Sequence, residues 1–397
     1  MITLSDETYF MTFPTDAAPK RRKRRMGAFR FLFLAFFIPI LAVPIILSSE
    51  EPLTGLVYES PYKHRNRIIR EIPELEKYIR EEMGFNGIMG LSIAVFDKRG
   101  VIYKEGFGSR NASGRKHTDT NTVFQAASLG KAVTAYAVLM LVDRGQLYLD
   151  APAQSYLPEP FIQDDKFADT ITIRMLLNHT SGMKNDPDGF DRHVYFPPGS
   201  AFSYSGAGFR YLQAVIEAVT GMSAARFVEN EIMKPLGMNS STFLPEEYHS
   251  LPLQEPLPNR NLKANAAYTL VSTPSDMTRF LRELQSPSLV NGYLVMEMLS
   301  PSVRVNSHNS WGLGIGLQDT PAGETVWHWG KNSKSHNSLM VMDVGTGIGC
   351  VVMASGEMGE KIIKKVVSHA IGGFHYGYWE DIPANLVYVP EYRNDIN

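Results

Sequence analysis

Apolar and polar residues alternate in three rhythms along this chain, and each rhythm predicts a different kind of element. First comes "FLFLAFFIPILAVPIIL" (31–47), seventeen apolar residues without a charge. That is at the short end of the roughly 17–25 a membrane-spanning helix needs. After a Pro-containing linker, "IPELEKYIREEMG" reads as a helix with Pro73 in its first turn and Gly84 past its end. Two β-like runs follow, 91–97 and 101–107, with Lys98-Arg99-Gly100 between them as a hairpin turn. From Ser128 to about Ser300 helical spacing dominates, at 132–142, 173–177, 209–220, 224–233 and 274–284, broken by Pro/Gly-rich loops. Beyond Trp311 the text turns strand-like again in "WGLGIGLQD", "ETVWHWG", "NSLMVMDVG" and "GIGCVVMAS", before a closing helix at 360–371.

Strands at both ends around a helical block predict an α+β fold. One antiparallel sheet is built from both chain ends and flanked by the first and last helices, with an inserted, mainly helical lobe. A cleft between sheet and lobe is a natural ligand site. Ser128 falls where the chain passes from one to the other.

Composition adds location and excludes partners. With 397 residues, 44% hydrophobic and 20% charged, the chain can bury a sizeable core. Its net charge of −2 is unevenly spread: residues 1–47 hold seven Lys/Arg against three Asp/Glu, leaving 32 against 38 downstream. A mildly acidic body argues against nucleic acid as a partner. Six consecutive basic residues, Lys20 to Arg25, precede the apolar run and "SSEE" follows it. This is the charge order of an export signal with its basic side in the cytosol. No Ala-x-Ala cleavage site follows, which favours a signal-anchor over a cleaved signal peptide. The expected layout is a basic cytosolic leader (1–30), a signal-anchor or signal peptide (31–47), a linker (48–72), a folded domain (73–374) and a C-terminal tail (375–397). The folded domain is then extracytoplasmic, in the periplasm or at the cell surface, membrane-anchored or secreted. The single cysteine, Cys350, excludes an internal disulfide, and its apolar strand context predicts a packing role.

The candidate chemistry begins with Ser-x-x-Lys, present four times as Ser60/Lys63, Ser113/Lys116, Ser128/Lys131 and Ser181/Lys184. The first lies in the linker, the second in a turn, and Gly182 interrupts the fourth. Only Ser128 opens a long helix-forming run, and residues three apart share a helix face. Such a pair can be a nucleophile with its base if burial lowers the lysine pKa; otherwise Ser128 is a helix cap and Lys131 a snorkelling surface lysine. Tyr204 sits in a tight Ser/Gly loop before a helix, where a phenol can reach a cleft. His328-Trp329-Gly330 ends a predicted strand; Gly330 leaves room for a substrate, and the Lys331 amide can help hold an oxyanion. A second His-x-Gly, His375-Tyr376-Gly377, shows that the triplet alone is not diagnostic.

In order and spacing, "TNTVFQAASLGKAVTA", "IRMLLNHTSGM", "PPGSAFSYSGAGFRYLQAVIEAVTG", "EIMKPLGMNSSTF", "STPSDMTRFL", "WGLGIGL" and "HWGKNSKSHNS" resemble the serine β-lactamase and penicillin-binding-protein-like hydrolases, especially the class C and esterase branch. The resemblance spans about Pro73 to Ile371. It implies the β-lactamase/transpeptidase-like fold, acylation of Ser128, proton transfer by Lys131 and Tyr204, and a substrate strand at His328, Trp329 and Gly330. It implies neither metal nor cofactor. Two departures stand out. The loop motif is usually Tyr-x-Asn, but position 206 is Gly206, which lacks the side chain that helps position substrate and lysine. The late triplet is usually Lys-Thr-Gly, whereas His328 is mostly neutral at pH 7. Both changes favour an esterase, or an amidase or peptidase acting on D-amino-acid derivatives, with a small-molecule or cell-wall-derived ester or amide as substrate. The alternatives are a true β-lactamase or D-alanyl-D-alanine carboxypeptidase, and an inactive cell-wall binding or sensor protein on this fold.

His179 in "LLNHTSG" is expected to be a hydrogen-bonded scaffold residue, and His193, His308 and His336 surface residues. Asp186, Asp188 and Asp191 lack the downstream Glu of a calcium loop and read as a solvated turn. No Gly-x-Ser-x-Gly elbow occurs, which argues against an α/β-hydrolase. The aromatic tail is expected to pack on the body.

Overall fold

The structure, a computed structural model, describes residues 61–372 except 163–165, 187–190, 260, 322 and 333–334, together with 387–388. The leader, the apolar segment 31–47, Ser60, Asp188 and most of the tail lie outside the described residues. No helix among the described residues is long and apolar enough to cross a membrane.

One eight-stranded antiparallel sheet organises the molecule, in the order β2-β1-β11-β10-β9-β8-β7-β6. Its strands are β1 (Gly90–Asp97), β2 (Gly100–Gly108), β6 (Val303–Arg304), β7 (Asn309–Trp311), β8 (Gly316–Thr320), β9 (Gly323–Asn332), β10 (His336–Asp343) and β11 (Gly349–Ser355). The sheet therefore joins both ends of the chain: β1 pairs with β11 from Leu91↔Ala354 to Phe96↔Gly349. Period-two alternation gives the central strands two apolar faces. Cys350, Val352 and Ala354 face α1 (Pro61–Asn86) and α9 (Gly359–Ile371), while Val351 and Met353 join the core of the helical lobe. Burial of Cys350 in the first face pushes its thiol pKa up, as expected of a packing cysteine.

The lobe is centred on α2 (Leu129–Asp143). Every residue from Leu129 to Leu141 is buried, as a helix that is apolar all round requires. Lys131 is the one charged residue among them. Two short strands that the apolar rhythm does not reveal, β3 (Phe124–Ala127) and β5 (Leu270–Ser272), pair with each other, and β3 leads the chain into α2.

Three expectations are corrected. The first helix starts at Pro61, so 61–72 is not linker. Proline at 73 mimics a helix start, but Ile68 is buried, Arg65 bonds Asp97 at 2.7 Å, and these contacts carry the helix back about three further turns. The strand expected over "WGLGIGLQD" is two strands, split where Gly314 takes φ +80 and a Cβ would stand 2.3 Å from the Ala135 side chain. The helix at 224–233 is α5 (Ala224–Val228) followed by a π-helical turn, Glu229–Met233. The tail, expected to pack on the body, meets it at β12 (Val387–Tyr388), which pairs with β4 (Ala201–Phe202), just before Tyr204.

Candidate active site

Strand β3 delivers the nucleophile candidate. Ala127 takes φ +51, a left-handed conformation uncommon outside glycine, and this turns the buried strand sharply into α2. Ser128 occupies the N-cap position and is half-buried, yet its hydroxyl makes no capping bond. It accepts instead from Lys131 Nζ at 3.0 Å. Lys131 is 1% exposed and also donates to the Ala267 carbonyl at 2.7 Å. Burial disfavours the ammonium and lowers its pKa to about 7. A snorkelling surface lysine is therefore not what the fold builds.

Tyr204 precedes α4 (Gly206–Thr220) and is held from both sides by His179. The His179 carbonyl accepts from Ser203 N–H at 2.8 Å, and its Nδ1 accepts from Ser205 N–H at 3.0 Å. An accepting Nδ1 makes the ring a neutral Nε2–H tautomer. Burial, reinforced by the Lys131 charge, holds its pKa well below the ordinary value. His179 is fully buried at φ +61, its ring 4.4 Å from that of Tyr204. Ser205 then caps α4 by accepting from Gly208 N–H at 2.9 Å, and donates to the Lys184 carbonyl at 2.9 Å. Thus His179 is the scaffold residue expected, with Tyr204 as what it holds.

The Tyr204 ring lies 5.0 Å from Lys131 Nζ. Part of the residue meets solvent, but its hydroxyl is buried and makes no well-formed hydrogen bond among the described residues. Burial raises the phenol pKa, while the neighbouring Ser128 hydroxyl pulls the other way. The geometry places Tyr204 beside Ser128 without a settled hydrogen bond between them.

Strand β9 forms the opposite wall. His328 is fully buried under Tyr204 and Trp311, with ring separations of 6.2 and 5.5 Å. Its Nδ1 donates to the Trp329 carbonyl at 2.8 Å, leaving Nε2 as a buried acceptor without a partner among the described residues. Burial first, then the Lys131 charge, lowers the His328 pKa to about 3, so the ring is neutral at working pH. The Trp329 ring is tilted against that of Tyr204, with centroids 4.9 Å apart. Packing requires a glycine at 330: a Cβ there would stand 2.1 Å from the Ala126 carbonyl oxygen and 2.4 Å from Ser338 Oγ. The bare backbone lets β9 lie against the strand that carries Ser128. The Lys331 side chain is ion-paired with Glu360. Its backbone lies past Trp327, the last β9 residue paired with β8, where that edge of the strand is open.

Motif reading missed the groups that make the site fit together, namely the Ala126 and Ala267 carbonyls, Trp311, and Asn185, whose Oδ1 accepts from Gly206 N–H at 3.0 Å. Carbonyls carry no residue-type signal, and Asn185 belongs to no motif. His336 is corrected from surface to core. It is fully buried at the start of β10, with Nδ1 3.1 Å from Gln125 Nε2, and burial lowers its pKa to about 4. His193 is exposed and bonds Asp191 at 3.0 Å; Asp191 also accepts from Tyr195 at 2.5 Å. Among the described residues no cluster of His, Cys, Asp and Glu could hold a metal ion. A cavity of about 650 Å³, lined by Gln285, Val295, Met296 and Glu324 among others, includes none of the site residues above.

Residues 75–364 match the family described as Beta-lactamase. Penicillin-binding protein 4 of Amycolatopsis lactamdurans is 25% identical, over 72% of this chain and 85% of its own. A penicillin-binding protein of Bacillus subtilis is 26% identical, over 79% and 77%. Among solved structures, the beta-lactamase/D-alanine carboxypeptidase of Pseudomonas syringae superposes with a TM-score of 0.67 at 16% identity, over 77% of this chain and all of that one. That likeness speaks to fold.

Proposed function

The chain belongs to the beta-lactamase family, and we propose that it is a serine hydrolase working through an acyl-enzyme. The observation that carries this reading is the 3.0 Å contact between Ser128 Oγ and a buried Lys131 whose pKa is lowered to about 7. At neutral pH a substantial fraction of Lys131 is then free amine, able to take the Ser128 proton as Oγ attacks an ester or amide carbonyl. Charge gathers on the carbonyl oxygen, where the Ser128 and Lys331 amides serve as donors. As the tetrahedral centre collapses, the proton passes from Lys131 through the Tyr204 hydroxyl to the leaving alcohol or amine. In the second half water attacks the Ser128 ester as Lys131 takes its proton; the C–Oγ bond then breaks, the proton returns to Ser128 Oγ, and the acyl group leaves as the free acid.

The neutral His328 and the indole of Trp329 supply no cation for a substrate carboxylate. This favours esters and amides without a terminal carboxylate, D-amino-acid derivatives included, over β-lactams and D-alanyl-D-alanine peptides. The basic run and apolar segment 20–47 support an extracytoplasmic location with attachment to the membrane. A binding or sensor protein without turnover is the second reading, favoured by Gly206 in place of the usual Asn. Hydrolysis of short p-nitrophenyl esters, and its loss in Ser128→Ala, tests the first reading against the second. Turnover of nitrocefin above that of the esters would favour a β-lactamase.

A further inference from the structure

We propose that Gln125 is a positioning residue: its carboxamide ties β3 to the end of β9 and so sets the spacing of the two amides, Ser128 N–H and Lys331 N–H, that receive the oxyanion. The assignment rests on the acyl-transfer reading above.

The two amides stand far apart in the chain, so packing alone fixes the gap between them. Ser128 follows β3, and Lys331 is the next-to-last residue of β9. Period-two alternation puts Gly330 and Asn332 on one face of β9, and their partners Ser338 and His336 on the same face of β10. Strand β3 meets that face at two consecutive residues. The Ala126 carbonyl accepts from Ser338 Oγ at 3.0 Å, against Gly330. Gln125 Oε1 accepts from Asn332 Nδ2 at 3.0 Å, while its Nε2 donates to the Pro256 carbonyl at 3.0 Å and to His336 Nδ1 at 3.1 Å. A carbonyl can only accept, so the Pro256 contact settles which end of the carboxamide is nitrogen. Both amide protons are then used, and Gln125 is 8% exposed, so the group cannot turn without stranding buried acceptors. Lys331 thus lies between two residues that are each held to β3 within three residues of Ser128, and its own side chain is ion-paired with Glu360 of α9. Oxyanion donors stabilise charge only when they are already in place, and the Gln125–Asn332 bond keeps the outer end of β9 in place.

The test measures kcat and KM for p-nitrophenyl butyrate and for its thiono analogue, in which sulfur replaces the carbonyl oxygen. It uses the wild-type chain, Gln125→Met and Asn332→Ala. Sulfur accepts hydrogen bonds weakly, so the oxo-to-thiono ratio of kcat/KM reports how well the two amides meet the oxygen. Any loss common to both esters cancels in it. Asn332→Ala breaks the tie to β9 but spares the Gln125 bonds to Pro256 and His336, so it carries the test alone if Gln125→Met does not fold. The expected result is a fall in the ratio of about tenfold in both variants, with kcat for the oxo ester down ~10–10²-fold and KM little changed. The acidic limb of the rate profile should stay in place, because Lys131 keeps both its contacts. A wild-type ratio in a folded variant, or a displaced acidic limb, overturns the assignment and leaves Gln125 a packing residue; so does equal turnover of the two esters by the wild-type chain. If the wild-type chain hydrolyses neither ester, the acyl-transfer reading fails first and this assignment falls with it.

Discussion

Lys131 Nζ lies 3.0 Å from Ser128 Oγ and 2.7 Å from the Ala267 carbonyl, so both partners of this buried lysine are neutral oxygens. Among the described residues no carboxylate is ion-paired with it. A buried ammonium without a counter-ion is costly to the fold, and the same burial is what makes the amine available as a base.

The pH dependence of stability follows with a definite sign. Unfolded lysine titrates near ~10.4, whereas folded Lys131 titrates at about 7. Between those values the unfolded chain binds the extra proton, so the contribution of Lys131 to stability climbs by up to ~1.4 kcal/mol per pH unit and is lost as pH falls back towards 7. Lys131→Met should be more stable than wild type by ~1–3 kcal/mol below pH 7, with the gap closing towards pH 10, while ester hydrolysis falls at least ~10³-fold. Urea denaturation at pH 6 and pH 9.5 measures the first, and initial rates measure the second.

Tyr204→Phe removes a hydroxyl that has no well-formed partner to lose. Stability should stay within ~0.5 kcal/mol of wild type, whereas kcat should fall ~10²–10³-fold if the phenol relays the leaving-group proton. Thermal melting and kcat, measured on one preparation, separate the two effects.

His179 positions that phenol by accepting from Ser205 N–H and by holding a left-handed backbone. His179→Asn keeps a short side-chain acceptor and tolerates positive φ; His179→Ala keeps neither. Alanine should cost ~2–3 kcal/mol of stability and ~10²-fold in kcat, with asparagine recovering most of the stability. Since burial holds His179 far below its ordinary pKa, neither variant should move the acidic limb of the rate profile.

The close approach of β9 to β3 is tested at Gly330. An added methyl would meet the Ala126 carbonyl oxygen at 2.1 Å, so Gly330→Ala should destabilise by ~1–3 kcal/mol and displace the strand facing Ser128, lowering kcat/KM ~10²-fold. Gly84→Ala is the matched control. Nothing lies within 4 Å of a Cβ there, in helix α1, and the change should stabilise by ~0.5–1 kcal/mol without touching the rate. Melting temperatures and kcat/KM of the two variants check both.

Much of this was readable from the chain because apolar rhythm and packing agree in the long elements. The runs at 91–97 and 101–107 are strands, the run 347–355 holds the strand Gly349–Ser355, and 173–177 is a helix to the residue. The junction at Ser128 was readable because a long helix-forming run follows it, with Lys131 its one charge as far as Val142. Short strands β3 and β5 were not, since three or four residues carry no period, and their pairing is fixed by contacts from far along the chain. Pro73 misled because a proline that suits a helix start can also sit inside a helix held by tertiary contacts. His336 was misplaced because a polar loop in sequence, "GKNSKSHNS", ends in a buried strand. The fixing of Tyr204 by His179 could not be read at all: it depends on a ring nitrogen meeting a backbone amide 26 residues away.

The most direct measurement is covalent trapping. The full chain is treated with a fluorophosphonate that phosphonylates activated serines, digested, and the modified residue located by mass spectrometry at several pH values between 5 and 9. The predicted result is one adduct, on Ser128, formed at a rate that rises with pH through about 7 as Lys131 loses its proton, and absent in Lys131→Met. An adduct on another serine, or on Ser128 at a rate indifferent to Lys131→Met, would contradict the assignment of this pair as nucleophile and base.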